Sequence, residues 1–207
     1  MGKLYNNRIL DGISKITDVF IIGLYFIICS IPVFTMGASL TALYYAIHKS
    51  VFRGRGYTTE FFHSFKENFK QSTLSWIIFM VIFAVLAGDI YVTRFAVPQT
   101  SAFAAAPLFF LIMLCFAILW AIYHFAYIAR FANGFGASFK VSAIIMVANL
   151  GWSFLILVVL AAFILLTFRF IILLFFLPGL ITASIHPIIE RVFRKYMTPE
   201  DLESELE

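Results

Sequence analysis

Charge is scarce in this chain. Asp, Glu, Lys and Arg make up 13% of its 207 residues, about half of the ~25% common in soluble domains. Hydrophobic residues make up 62%, with 26 Phe and a mean hydropathy of +0.97. Water does not solvate such a composition, whereas a bilayer does. Cysteine is nearly missing too. Cys29 and Cys115 both lie in apolar runs, which leaves no disulfide framework and no cysteine-based metal spacing. They read as small hydrophobes. Catalytic signatures are also lacking. There is no Gly-x-Ser-x-Gly, no His-Glu-x-x-His and no phosphate-cradling loop, since Arg53-Gly54-Arg55-Gly56 is not followed by Lys-Ser/Thr. The expectation is a non-enzyme with no cofactor and no metal. A cleavage site of small residues and a myristoylation pattern are both missing at the N-terminus, so neither processing is expected there. The net charge of +4 needs no nucleic acid, because the basic residues flank apolar segments.

What the chain does have is apolar runs of membrane length. An all-α, polytopic membrane helical bundle is expected, as one domain over 1–195 followed by an acidic tail over 196–207. Hydropathy and helix breakers place about six spans, at 16–34, 36–52, 74–95, 103–128, 142–166 and 169–189. Ser14 is the expected N-cap of the first. Nineteen residues at ~1.5 Å each just cover the ~30 Å of a hydrocarbon core. The second span is short and could be tilted, shielded or partly re-entrant.

The pivot is the stretch between the first two spans. Pro32 and Gly37 break and turn the chain, with Thr35 between them. Ala38, Ala42 and Ala46 then repeat every fourth residue on one helix face. Small residues let membrane helices approach closely, so the second helix is expected inside the bundle. Its turn is expected at the outer membrane boundary. Residues 141–189 form one nearly unbroken apolar run. A turn at Thr167-Phe168-Arg169 divides it evenly, which leaves Pro178-Gly179 as a kink within the sixth span.

Residues 60–71 read as an interfacial amphipathic helix, with Phe61, Phe62, Phe65 and Phe69 on one face. That face could lie on the bilayer or dock a partner. Thr198-Pro199 reads as a short helix start in the tail. Six spans put both termini on one side. All fifteen Lys and Arg except Arg94 and Arg169 then fall on that side. The positive-inside rule makes it the cytoplasm, in a multi-pass protein of the cell membrane.

Four histidines, His48, His63, His124 and His186, fall near the cytoplasmic ends of segments. Without paired metal spacing they read as hydrogen-bonding groups rather than one shared site. Asp89, Arg94 and Arg169 lie near the outer face, as a shallow ion pair or as snorkelling groups. Trp76, Trp120, Tyr123, Tyr127 and Trp152 read as interfacial aromatic belts rather than a sugar platform. Ser39, Thr41, Asn149 and Thr182 are the residues that could line a polar cavity.

The motif Ser30-Ile-Pro-Val-Phe-Thr-Met-Gly-Ala-Ser-Leu-Thr-Ala-Leu-Tyr-Tyr45, followed by Phe61-Phe62-x-x-Phe65-Lys66-Glu67-Asn68-Phe69-Lys70-Gln71-Ser72, resembles the YesL family. The resemblance runs over nearly the whole chain. It implies a bacterial membrane protein of unknown function, with no catalytic or binding residues to carry over. The family's association with carbohydrate ABC importers implies an accessory subunit or scaffold that touches importer membrane subunits. The alternative is an independent small-solute transporter or channel.

Overall fold

A computed structural model describes residues 2–51, 56–95, 105–170 and 174–197, with backbone alone for 2–11 and Tyr57. The Arg53–Arg55 turn, the Pro98–Ser101 turn, the start of the fourth span at Phe103 and the Thr198-Pro199 tail lie outside them. The described residues form eight α-helices and no strand: α1 (Gly2–Cys29), α2 (Met36–Ser50), α3 (Tyr57–Glu67), α4 (Phe69–Phe95), α5 (Ala106–Arg130), α6 (Phe135–Ala148), α7 (Leu150–Arg169) and α8 (Leu177–Phe193). Among the described residues, four helical apolar stretches are long enough to cross a membrane: Gly12–Cys29, Phe69–Phe95, Ala106–Arg130 and Leu150–Arg169.

The helix ends follow local chemistry. The first helix stops at Cys29, short of the expected 34, because the residue before a proline is pushed out of the helical region and Pro32 itself is extended. It also begins at Gly2, so Ser14 lies inside it rather than capping it. Thr35 closes the turn, its hydroxyl donating to the carbonyls of Cys29 (2.5 Å) and Pro32 (2.6 Å). The amphipathic helix ends at Glu67, not at 71. Asn68 donates its side-chain amide to the Ser64 carbonyl at 3.2 Å, a bond that competes with the helical ladder. Phe69 therefore opens α4, five residues before the expected span.

The apolar run 141–189 divides differently from the expectation. The expected single helix 142–166 is broken at Asn149, whose backbone leaves the helical region. Its amide donates to the Ile145 carbonyl (3.0 Å) and to the Tyr196 hydroxyl (2.9 Å), and its oxygen accepts from Lys195 Nζ (3.0 Å). Helix α7 runs on through Thr167-Phe168-Arg169, where the turn was expected, and ends at Arg169. Helix α8 starts only at Leu177, so Pro178 and Gly179 open this helix instead of kinking it. Proline suits a first turn, where its missing N–H has no helical acceptor.

Helix α2 is the hub. It packs against α1, α3, α4, α5 and α8, and eleven of its fifteen residues are buried. Ala38, Ala42 and Ala46 are fully buried. Gly37 allows the closest approach: a Cβ there would collide with the Ser72 carbonyl oxygen and with Trp76 Cβ on α4. Gly179 does the same for α8, where a Cβ would strike the Val19 carbonyl of α1.

Helix α4 meets this turn near its own start, since Trp76 donates its indole N–H to the Val33 carbonyl at 2.8 Å. It then runs on from Trp76 to Phe95, ~28 Å further. The Pro32–Gly37 turn thus lies beside the first two turns of α4, not level with the far end of that helix as expected for an outer boundary. Helix α2 itself is only ~22 Å long.

The last two turns of α5 gather the other elements. Ser75 of α4 and Ser142 of α6 meet His124 at 2.8 and 3.2 Å. Asn133 donates to the Tyr127 hydroxyl at 2.6 Å, and Ser153 of α7 to Tyr123 at 3.3 Å. Phe193 of α8 packs edge-on to Tyr123 and Tyr127. Helix α6 therefore lies across this end, held at its start by Gln71 through Ser138 (3.0 Å) and at its finish by Asn149.

Candidate functional site

A buried ionic cluster sits where α2, α5 and α8 meet. Tyr44 and His48 lie four residues apart on α2, hence on one helical face. His186 and Glu190 repeat that spacing on α8, and Arg130 ends α5. Arg130 Nε donates to Glu190 Oε1 at 2.8 Å and Nη2 to Oε2 at 3.2 Å, a bidentate fork. The Tyr44 hydroxyl donates to Oε1 at 2.9 Å. His48 Nδ1 and His186 Nε2 are 2.9 Å apart, sharing a proton, and stand 3.7 and 3.8 Å from Glu190 Oε1. The His186 ring lies 5.1 Å from that of His48 and 5.2 Å from that of Tyr44, centroid to centroid.

All five side chains are buried, the arginine and glutamate side chains at 8% exposure each. Taking such charges out of water is expensive, and only close pairing with further hydrogen bonds offsets the cost. Here Arg130 and Tyr44 supply both.

The histidines thus divide three ways. His48 and His186 are joined, which corrects the expectation of no shared site. His124 is separate, between Ser75 and Ser142. His63 is exposed beside Glu67 at 3.3 Å, a surface pair of small energetic worth. Glu190 was missed from the sequence. Its signal was available: an acid at the end of an apolar run, four residues after a histidine.

The other expected residues separate. Pro32, Thr35, Gly37 and the Ala38-Ala42-Ala46 face form the packing seam described above. Phe61 is fully buried against α1 and α2, beside Tyr25. It is therefore not available to a docking partner, because the amphipathic face of α3 is used within the chain. Phe62 is exposed, whereas Phe65 and Phe69 are half-buried, Phe65 stacked on Phe61 and Phe69 edge-on to Phe65.

Ser39, Thr41, Asn149 and Thr182 do not share a polar cavity. Ser39 donates to the Thr35 carbonyl (3.2 Å), Thr41 pairs with Ser72 (2.8 Å), and Asn149 binds Lys195 and Tyr196. Thr182 borders a cavity of about 360 Å³ whose other walls are mostly aliphatic and aromatic, among them Phe26, Leu40, Trp76, Phe83 and Ile185. The expected aromatic belts point inward instead. Tyr123 and Tyr127 are buried, Trp76 bonds to the α1–α2 turn, and Trp120 donates to Ser142 at 3.3 Å. Trp152 receives the Arg191 guanidinium over its ring at 5.1 Å. Arg169 is exposed at the far end of α7, its guanidinium 6.0 Å from the Phe170 ring centroid.

Residues 19–90 match the model of a family described as protein of unknown function, DUF624. No curated protein and no solved structure matches the chain. The matched stretch runs from within α1 through most of α4, so it holds Tyr44 and His48 but not Arg130, His186 or Glu190. Over its first hairpin, α3 and most of α4, the chain is similar to that family of unknown function.

Proposed function

We propose that the chain is a multi-pass protein of the cell membrane with both termini in the cytoplasm. In this reading it acts by association rather than catalysis, as an accessory subunit or scaffold of a carbohydrate ABC importer. The carrying observation is the wide apolar surface along the long helices. Val81, Val85 and Tyr91 of α4, Leu108 and Phe109 of α5, and Phe154 and Leu165 of α7 are all exposed. Such a surface is stable only against lipid or other membrane helices. The importer part rests on the YesL resemblance.

Side assignment rests on charge. Lys66, Lys70, Arg130, Lys140, Arg191, Arg194 and Lys195 cluster at the end where α5 finishes, whereas Arg94 and Arg169 mark the far ends of α4 and α7. The positive-inside rule makes the first end cytoplasmic. Crossing by α4, α5, α7 and α8 satisfies this, with α1 and α2 entering and returning as one hairpin. The assignment is the same whether or not the α1–α2 hairpin reaches the outer surface, because both its ends return to one side.

Co-purification in mild detergent is the test. Importer permease subunits should come down with the protein, and oligosaccharide uptake should fall on its deletion. Recovery alone, with unchanged uptake, refutes the importer reading. The second reading, an independent small-solute transporter or channel, would need a polar path, whereas the cavity beside Tyr44 and Thr182 is walled mostly by aliphatic and aromatic side chains. Solute flux into proteoliposomes holding the purified protein alone would select it over the first.

A further inference from the structure

We propose that His48, His186 and Glu190 bind a divalent first-row transition ion, with zinc as its representative, that clamps α2 to α8. The argument starts from donor chemistry. Two imidazole nitrogens and one carboxylate oxygen form a His₂Glu set, which suits zinc and its neighbours. The three donor atoms, His48 Nδ1, His186 Nε2 and Glu190 Oε1, all lie within 4.8 Å of one another.

Their separations are 2.9, 3.7 and 3.8 Å. A tetrahedral ion with ligands at ~2.05 Å holds its donors about 3.3 Å apart. The nearest point equidistant from the three atoms, in their own plane, lies about 2.0 Å from each, the zinc–nitrogen and zinc–oxygen bonding distance; a tetrahedral ion needs the donors to shift by about 0.5 Å, the carboxylate inward and the rings apart. Plain hydrogen bonding accounts for the His48–His186 contact. Arg130 and Tyr44 hold Glu190 Oε1 nearly equally far from both rings, beyond hydrogen-bond reach of either, which completes the triangle of donors.

The outer shell fits as well. Ligating carboxylates are oriented by further hydrogen bonds, and Tyr44 and Arg130 hold Glu190 in this way at 2.9 and 2.8 Å. Binding needs both ring nitrogens as lone-pair donors. The ring that donates the shared proton therefore takes its other neutral tautomer, and no charge change on either histidine is required. Arg130 opposes a cation in this site, which weakens binding relative to the same three ligands alone. It also favours water or an anion at the fourth position that three protein ligands leave open. The set is split between α2 and α8, so the ion would tie together helices far apart in sequence. This inference is independent of the importer reading.

The experiment uses the full chain, purified in detergent without a polyhistidine tag. Metal content is measured by plasma mass spectrometry, and thermal unfolding is followed with added zinc, cobalt, manganese and nickel. The expected result is one ion per chain and a midpoint raised by about 5–10 °C at saturating zinc. Chelation should reverse the shift. His48→Gln, His186→Gln and Glu190→Gln should each lower affinity on the order of 100-fold or more, whereas His63→Ala and His124→Gln should bind as before. If the ligand variants do not fold, X-ray absorption of the zinc-loaded wild type decides, with two imidazoles in the ion's shell expected. Absence of a stoichiometric ion and of any midpoint shift with all four metals overturns the proposal. So does undiminished binding in the ligand variants, or a zinc shell without two imidazoles.

Discussion

Replacing Arg130 by methionine keeps most of the side-chain volume and removes the fork on Glu190. The carboxylate then remains at the junction of α2, α5 and α8 with the Tyr44 hydroxyl as its neutral donor. Removing one partner of a buried pair costs about 3–5 kcal/mol, because the remaining charge stays desolvated. A chain of this length loses ~2–4 °C of midpoint per kcal/mol, so the midpoint should fall by about 6–20 °C. The assay is thermal unfolding of detergent-purified protein at one fixed scan rate, since membrane proteins often unfold irreversibly. The double variant Arg130→Met/Glu190→Gln separates charge from packing. Its amide oxygen still accepts from Tyr44 but carries no charge, so at least half of the loss should return. A single variant within ~2 °C of wild type would refute the claim that this pair is buried and coupled. A double variant no better than the single would show that packing, not charge, is at stake.

Gly37→Ala should lower the midpoint by several degrees, because its Cβ meets the Ser72 backbone carbonyl, which cannot move aside as a side chain can; Gly88→Ala, facing open space, should leave it unchanged in the same measurement. Ala42→Leu adds volume at a fully buried position and should cost about 1–3 kcal/mol; undiminished yield and midpoint would mean the small-residue face is not packed. Thr41→Val leaves the buried Ser72 hydroxyl without its 2.8 Å partner and should cost about 1–3 kcal/mol, with Thr41→Ser recovering most of it. For sidedness, cysteines placed at Arg94 and at Arg191 should react with a membrane-impermeant maleimide from opposite faces of intact cells and inverted vesicles, and labelling of both from the same face would overturn the orientation.

Much of this architecture is written in hydropathy, because a bilayer imposes a length on each apolar run. Helices α4 and α5 lie close to where composition puts them. The misplacements concern prolines and polar residues inside apolar runs. Asn149 reads as a hydrogen-bonding residue within one long span, yet its side chain competes for backbone groups and ends α6. Pro178 reads as a kink by the apolar length left after it, whereas it serves in the first turn of α8. Leu177–Phe193 is short because neighbours rather than lipid cover it. The candidate site was half legible. His48 and His186 are visible as residues, but their meeting depends on how α2 packs on α8, and local spacing carries no trace of that. Glu190, four residues after His186, was the one local clue.

The shortness of α2 and α8 has a consequence for how the protein is made. Neither reaches the length of the four helices that could cross a membrane unaided, and each brings buried polar groups with it. Inserted one at a time, they would have no stable place in lipid. Their entry must therefore be an act of assembly, completed when α1, α4, α5 and α7 already form a wall around them. The ionic cluster closes at that last step. A chain that lacks Glu190 or Arg130 should still leave the ribosome with its long helices in the membrane, and should be lost afterwards, to proteases that recognise an unfinished bundle.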